Sequence, residues 1–566
     1  MTLRNIIILS IFIGSAISTL PSYSQQYINP LTIPPALSGN FGELRNNHFH
    51  SGIDFKTKQV VGHPVVAIED GFVSRISVSP GGYGLALYID HPSTGHTSVY
   101  GHLSSFSVKI ADYVTEKQYE QESFQINLLP DEDVLPVKKG EQVALSGNSG
   151  SSGGPHLHFE IRDTRSEEPM DALAYLARIA DTQKPDLRGI AFYPMMDKGV
   201  VNGSSQPLRL QIGKDKAGNL LSPGRSISAW GRIGAGVKAY DRMNGQTNIY
   251  GVKHIRLYVD SKQVFSSSIH RFSFTDTRML NALIDFEDWR ERRSFFMKSF
   301  IEPGNRLPFY ETVNHGYVDI HEEREYQFRY ELEDHYGNVS SYQFNVQGKK
   351  QPIPMQPPCK NWFAWNLHNS FIGMGFSLSV PEGNLYHSIC FNYRTTKSNS
   401  FFSDLHQVNN KPVPLHSSGE MWIRLHTDTL LNRHNYGIVK INENGSESWV
   451  GGTYLRGGIT GNIRELGGRY AVSADCIPPV ITPVAPEKWA SQRRIRVRLS
   501  DNKSGIASFR GEINGVFVLF THDTKSNQYT YRFDNERLSR GTEQELIFKA
   551  TDGAKNSSTY SYSFSY

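Results

Sequence analysis

The sequence predicts an all-β protein, in which a small antiparallel β domain is followed by immunoglobulin-like β-sandwich domains. Three observations predict it. Aromatic residues make up 12% of the chain and glycine occurs 49 times, a balance that favours strands joined by tight turns. The N-terminal third consists of short apolar runs punctuated by glycine, with little helical periodicity. The remaining two thirds repeat one pattern of strand, Asp-containing turn and strand. At 566 residues the chain is too long for one core. Domains of roughly 100–200 residues would give three or four.

The elements follow in order. Arg4 precedes the apolar run Ile6 to Ile13, and small residues lead to Ser22-Tyr23-Ser24. A positive charge, a short apolar stretch and a small-x-small ending predict a secretory signal peptide over 1–24, cleaved before Gln25. The run is short for a membrane span of about 20 residues, and no later stretch is apolar enough to form one. In a first domain over 25–180, Pro64–Ile68 and Phe72–Val78 read as strands around an Asp70-Gly71 hairpin signal. Leu85–Ile89, Val99–Leu103 and Pro136–Leu145 read as further strands, the last turning at Lys139-Gly140. Asp112–Gln121 is the one helical insertion, with Tyr113, Val114 and Gln118 at helical spacing, and Asp171–Ile179 is helix-like. These strands are expected to supply a core of their own, with a linker at Asp181–Pro185.

Beyond the linker the pattern recurs. Val237–Asp241 runs into Asn244-Gly245, as Val497–Asp501 runs into Ser504-Gly505; Tyr330–Asp334 precedes Gly337-Asn338, as Phe548–Asp552 precedes Lys555-Asn556. The second copy opens at Asp475–Pro479, echoing Asp181. Two immunoglobulin-like domains are therefore expected, over 181–350 and 479–566, flanking a β-rich region of unassigned topology over 351–478.

The chemistry concentrates in three short segments of the first domain. In Pro155–Arg162, strict alternation puts His156, His158, Glu160 and Arg162 on one face of a strand and Leu157, Phe159 and Ile161 on the other. Two histidines two residues apart suit one metal ligand and one neighbouring general base. In His50-Ser51-Gly52-Ile53-Asp54, an imidazole and a carboxylate can reach one divalent ion if the chain bends at Gly52. With one histidine of the strand they make three ligands, leaving a fourth position for water as catalytic zinc sites do. Val99–Ser104 is a third strand, whose His102 can face the same site.

His50–Asp54, Tyr100–Ser104 and Gly153–Glu160 together resemble the motif set of the lysostaphin/LytM-type zinc metallopeptidases, over roughly residues 28–175. The resemblance implies a β domain of the duplicated hybrid motif type. It also implies zinc as cofactor, held by His50, Asp54 and His158, with His102 and His156 as catalytic histidines. It further implies hydrolysis of peptide bonds in bacterial peptidoglycan, by an exported enzyme that is periplasmic, extracellular or attached to the cell wall. The histidines would assist deprotonation of water, stabilise the charged intermediate and protonate the leaving amine. The chain departs from the pattern twice. Its Lys109–Leu135 insertion is long enough to reshape substrate access, and the tyrosine that some members place ahead of the first ligand has only Tyr83 as a stand-in. Glu160 reads as a surface residue or a support behind the ligands.

Other readings compete. A secreted protease acting on glycine-rich proteins would use the same residues. A non-catalytic wall-binding or scaffold protein would carry a vestigial zinc site, its β domains binding wall or protein. A net charge of +4 over this length gives no footprint for nucleic acid. His321–Glu325 begins like an H-E-x-x-H helix but ends in Glu. Gly150–Gly154 spells G-x-S-x-G yet is followed by Pro155 and a strand rather than a helix. His48 and His63 read as turn residues, His48 near the cleft. Of Cys359, Cys390 and Cys476, the first two form the better disulfide pair if any forms.

Overall fold

The computed structural model describes residues 27–534 and 537–566, so the segment read as a signal peptide lies outside the described residues. Among the described residues the protein is all-β. Among these residues Val108–Glu120 is the one helix longer than two turns, and none of their helices is long and apolar enough to cross a membrane.

The first domain is built around the strand His156–Asp163. Its apolar face, Leu157, Phe159 and Ile161, is completely buried. Pairing on both sides is antiparallel, to Ile53–Lys56 and to His96–Leu103. The sheet continues outward from His96–Leu103 through Leu85–His91 and Gly71–Val78 to Ile126–Leu128. A separate three-stranded sheet joins Pro64–Val66, Gln142–Leu145 and Ser105–Phe106.

Three local expectations are corrected. Asp70-Gly71 does not close a hairpin. Pro64–Val66 pairs with Gln142–Leu145, and Gly71–Val78 with Leu85–His91, because buried Val65, Ala67 and Ile68 commit the earlier run to the second layer. Asp171–Ile179 contributes only the single turn Ala172–Ala174, capped by Asp171, whose carboxylate is also held by Lys253 and His335. The insertion helix starts four residues earlier than expected and buries Ile110, Val114 and Gln118.

The strands after the linker fall into three groups. Residues 186–348 form a ten-stranded sheet that folds over itself where Ser228–Tyr240 meets Val339–Gly348 in parallel. Residues 362–474 form two five-stranded sheets and one two-stranded sheet. Residues 480–565 form a three-stranded and a four-stranded sheet, an arrangement compatible with an immunoglobulin-like sandwich. Cys359 and Cys390 are joined in a disulfide, and Cys476 is free and exposed.

The first domain does not keep its core to itself. One apolar cluster runs from Tyr27 and Leu37 through Phe41 and Phe49 into Phe272, Leu280 and Phe344 of the following sandwich. Polar contacts reinforce that seam. The Tyr250 hydroxyl donates to the Leu37 carbonyl at 2.9 Å, and Asn40 exchanges two hydrogen bonds with the backbone of Gly251. The last sandwich also returns to the first domain. Phe517 packs edge-on against Tyr119 of the insertion helix, Arg537 lies over the same ring, and Arg510 pairs with Glu122 at 2.8 Å. Beside them the Gly150 amide donates to Asp523 at 3.1 Å, and Lys525 donates to the Gly150 carbonyl at 2.6 Å. The insertion thus serves as a docking platform for the C-terminal sandwich.

Candidate metal centre

The register of the central strand assembles the site. His158 lies opposite Asp54 on one side and Gly101 on the other, so all three sequence segments meet at one point. His50 enters from the loop before Ile53–Lys56. That loop lies directly on the central strand. A Cβ on Gly52 would stand 2.3 Å from the Phe159 carbonyl oxygen, so glycine is needed for close approach rather than for the bend first expected.

His50 Nε2, Asp54 Oδ1 and His158 Nδ1 converge, with separations of 3.1 Å (His50–Asp54), 3.1 Å (His50–His158) and 3.0 Å (His158–Asp54). All three residues are buried. The outer nitrogen of each imidazole is engaged. His50 Nδ1 lies 2.8 Å from the Asn40 carbonyl, which can only accept, and His158 Nε2 lies 2.8 Å from the Glu160 carboxylate. These partners place the ring protons on the outside and aim two nitrogen lone pairs and a carboxylate inward. Three electron-rich atoms at about 3 Å repel one another unless a cation or a proton lies between them. In the metal-free protein a proton takes that role. Burial opposes charge on His158, but Asp54 and Glu160 outweigh it and raise its pKa to about 9. The donor set fits one divalent metal ion.

His102 and His156 stand beside this triad, their rings 4.8 Å apart. His102 sits at φ 59°, in the left-handed region that a non-glycine residue rarely occupies. Its Nδ1 donates to the Ser149 carbonyl at 2.9 Å, which holds the ring and leaves Nε2 for the site. Burial, with His158 and His156 nearby, lowers its pKa to about 3, so it is neutral at neutral pH. His156 Nδ1 donates to the Gly154 carbonyl at 2.8 Å, and its Nε2 lies 3.5 Å from Asp54 Oδ1. His156 is the most exposed of the four site histidines, as suits a group that meets substrate.

Glu160 is not on the surface. It is fully buried, and its carboxylate accepts from His158, from the Ser51 and Tyr83 hydroxyls at 2.6 Å each, and from Arg162 Nε at 2.6 Å. Burial alone would raise its pKa, yet Arg162 and His158 hold it far below the usual carboxylate range. Tyr83 stacks on the His158 ring at 5.0 Å and spends its hydroxyl on Glu160, so it braces the ligand. Sequence reasoning missed Arg45, whose guanidinium holds Asp54 Oδ2 at 3.1 Å, and Ser149. An Arg nine residues before the carboxylate carries no recognisable spacing. Ser149 acts through its backbone carbonyl, which side-chain identity does not reveal. His48, His63 and His321 take no part: His48 and His63 bond backbone carbonyls in their own turns, and His321 precedes a strand.

A β domain with three convergent ligands and two adjacent histidines has the arrangement that metal-dependent hydrolysis requires. Residues 48–119 match the family model described as peptidase family M23, in agreement with the resemblance of the first domain to the lysostaphin/LytM type. Residues 360–475 match a Zu5-like domain, which places the β-rich region that sequence left unassigned. The chain is 37% identical over 112 residues to an uncharacterized metalloprotease of Haemophilus influenzae, covering 20% of this chain and 18% of that protein. It is 34% identical over 119 residues to the DD-carboxypeptidase/endopeptidase Mpg of Neisseria meningitidis serogroup B, covering 21% of each. The crystallised catalytic domain of lysostaphin from Staphylococcus simulans is 24% identical, with a TM-score of 0.19, covering 25% of this chain and 90% of that one. The chain thus spans about a fifth of the length of the curated relatives it matches.

Proposed function

We propose that the protein is an exported zinc metalloendopeptidase that cleaves peptide bonds in bacterial peptidoglycan. The observation that carries this reading is the convergence of His50 Nε2, Asp54 Oδ1 and His158 Nδ1 beside His102 and His156. Two imidazoles and one carboxylate suit zinc, and two of the relatives are named as a metalloprotease and as a DD-carboxypeptidase/endopeptidase. Zinc, when bound there, supplies a Lewis acid and lowers the pKa of water to about 7.

The chain's own residues supply the rest. His156 Nε2, close to Asp54 and partly exposed, takes the proton from the attacking water. His102 Nε2, on a ring whose Nδ1 proton is held by the Ser149 carbonyl, presents a lone pair that accepts a hydrogen bond from the attacking water and orients it. The protonated imidazole then delivers its proton to the leaving amine. Glu160, Tyr83 and Ser51 keep His158 in the tautomer that points Nδ1 inward.

The test is digestion of purified cell wall by the full chain, with mass spectrometry of the soluble products. Release of peptide fragments with new amino termini, abolished by chelation and restored by zinc, is the expected result. A protein that holds stoichiometric zinc but releases nothing from wall overturns the reading in favour of a scaffold. Cleavage confined to glycine-rich proteins reassigns the substrate.

A further inference from the structure

In the repeated β pattern each aspartate sits at a turn. The fold gathers them into two clusters, the wholly buried Asp181 with Asp241 and Asp334, and Asp475 with Asp501 and Asp552, of which Asp501 is partly exposed. In each cluster all three residues offer an oxygen, and these lie within 4.8 Å of one another. The sources are equivalent. The first aspartate comes from the segment leading into the sandwich, the second from just past one strand (Ser228–Tyr240, Arg494–Ser500), and the third from the end of another (Glu325–Glu333, Glu543–Asp552).

The hydrogen bonds around the clusters also repeat. Asp334 and Asp552 each accept from the backbone and side-chain amides of an asparagine four residues on, Asn338 and Asn556. Those two side chains in turn donate to the carbonyls of Asp181 and Asp475. Asp181 accepts from the amides of Gln183 and Asn244; Asp475 accepts from those of Ile477 and Ser504.

What the network omits is the informative part. Asp181 Oδ2 and Asp241 Oδ1 are buried with no hydrogen-bond partner, in residues only 6% and 5% exposed, and Asp501 Oδ1 is unpartnered in the second cluster. A buried, unpaired carboxylate oxygen costs several kcal/mol, and two copies of the same omission are not an accident of one loop.

We infer that each of these two sandwiches binds one hard divalent cation of the calcium class through its three aspartates. An all-oxygen set with several carboxylates suits calcium, which takes six to eight oxygen ligands and leaves places for water and backbone carbonyls. The ion at Asp181 would pin the segment between the first domain and its sandwich. The ion at Asp475 would pin the end of the Zu5-like domain, where Asn435 donates to the Asp475 carbonyl and to Asn556, onto the last sandwich. Calcium would then set how firmly these two segments are held, independently of the peptidase metal.

The test is isothermal titration of calcium chloride into the full chain after removal of metals with a chelator. Wild type should bind two calcium ions per chain, and its melting temperature should rise with calcium. Asp241→Asn and Asp501→Asn should each reduce the stoichiometry to one, and the double variant to zero. His50→Ala/His158→Ala should keep both. Because Asn removes a buried, unneutralised charge, each variant should melt no lower than calcium-free wild type, which shows that it is folded. A wild-type chain that binds no calcium, or a folded double variant that still binds two, overturns the inference. A loss confined to one variant overturns it for the other domain.

Discussion

Glu160→Gln isolates a single task, holding His158 in place. The wild-type carboxylate receives three hydrogen bonds on Oε1, from His158, Ser51 and Tyr83, and one on Oε2, from Arg162. Glutamine keeps one oxygen and brings an NH2 group. If the oxygen faces His158, the NH2 group confronts a guanidinium that is only 7% exposed and now has no carboxylate. Removing one member of a buried pair costs about 3–5 kcal/mol, and the lower end applies here because Ser51 and Tyr83 keep an acceptor. If the amide turns round, His158 loses its acceptor and its tautomer. Losing such a support lowers metal affinity by about 10- to 100-fold, or about 1.4–2.7 kcal/mol. Zinc affinity by chelator competition and stability by urea unfolding read the two effects separately. Adding Arg162→Met, which leaves the amide free to turn its oxygen to His158, should recover stability and zinc affinity together. Zinc affinity within twofold of wild type together with unchanged stability in Glu160→Gln would refute the view that Glu160 orients the ligand.

Further outcomes follow from the same geometry. His158→Ala should lose both metal and activity, whereas His156→Ala and His102→Ala should keep zinc and lose about 10²- to 10⁴-fold in turnover; metal analysis beside wall digestion decides, and zinc lost only from His156→Ala would reverse the roles. Residues 25–184 expressed alone should be molten or aggregated, since Leu37, Phe41 and Phe49 share a core with the next sandwich; a monodisperse fragment with a sharp melting transition would contradict this. Burial would raise the Asp171 pKa, but Lys253 and His335 hold it well below the carboxylate range. A depressed folded pKa adds stability above the unfolded value of about 3.9, lost as pH falls towards the folded value. Asp171→Asn should therefore weaken the protein at pH 7 and flatten the acid limb of its urea midpoints, and an unaltered pH profile would remove Asp171 from the seam.

What could be read from sequence depended on how local the signal was. Alternation in Pro155–Arg162 names the strand, its buried face and both histidines, because a strand's side chains obey a period of two whatever surrounds it. His50, Asp54 and His102 were legible as short motifs, and the structure brings all five site residues together. Asp70-Gly71 misled because a turn signal fixes where the chain reverses, not which strand receives it. Asp171–Ile179 misled because the Asp171 carboxylate is claimed by Lys253 and His335, residues too far along the chain for any local window. The burial of Glu160 was hidden for the same reason, its partner Tyr83 lying on another loop. The shared core across Lys184 likewise depends on Phe272 and Tyr250, which no reading of the first domain alone includes.

The return of the last sandwich to Gly150 has a consequence in time. Ser149, whose carbonyl holds His102, belongs to a loop that is synthesised early, while the residue that ties down the next amide, Asp523, follows 373 positions later. At about 5–20 residues per second, synthesis separates the two by roughly 20–75 s. For that interval a chain carries its whole histidine set without the brace on the loop that orients one of them. The catalytic rim is therefore finished last, and a chain that stops short of Asp523 has the ligands of the site but not its final support.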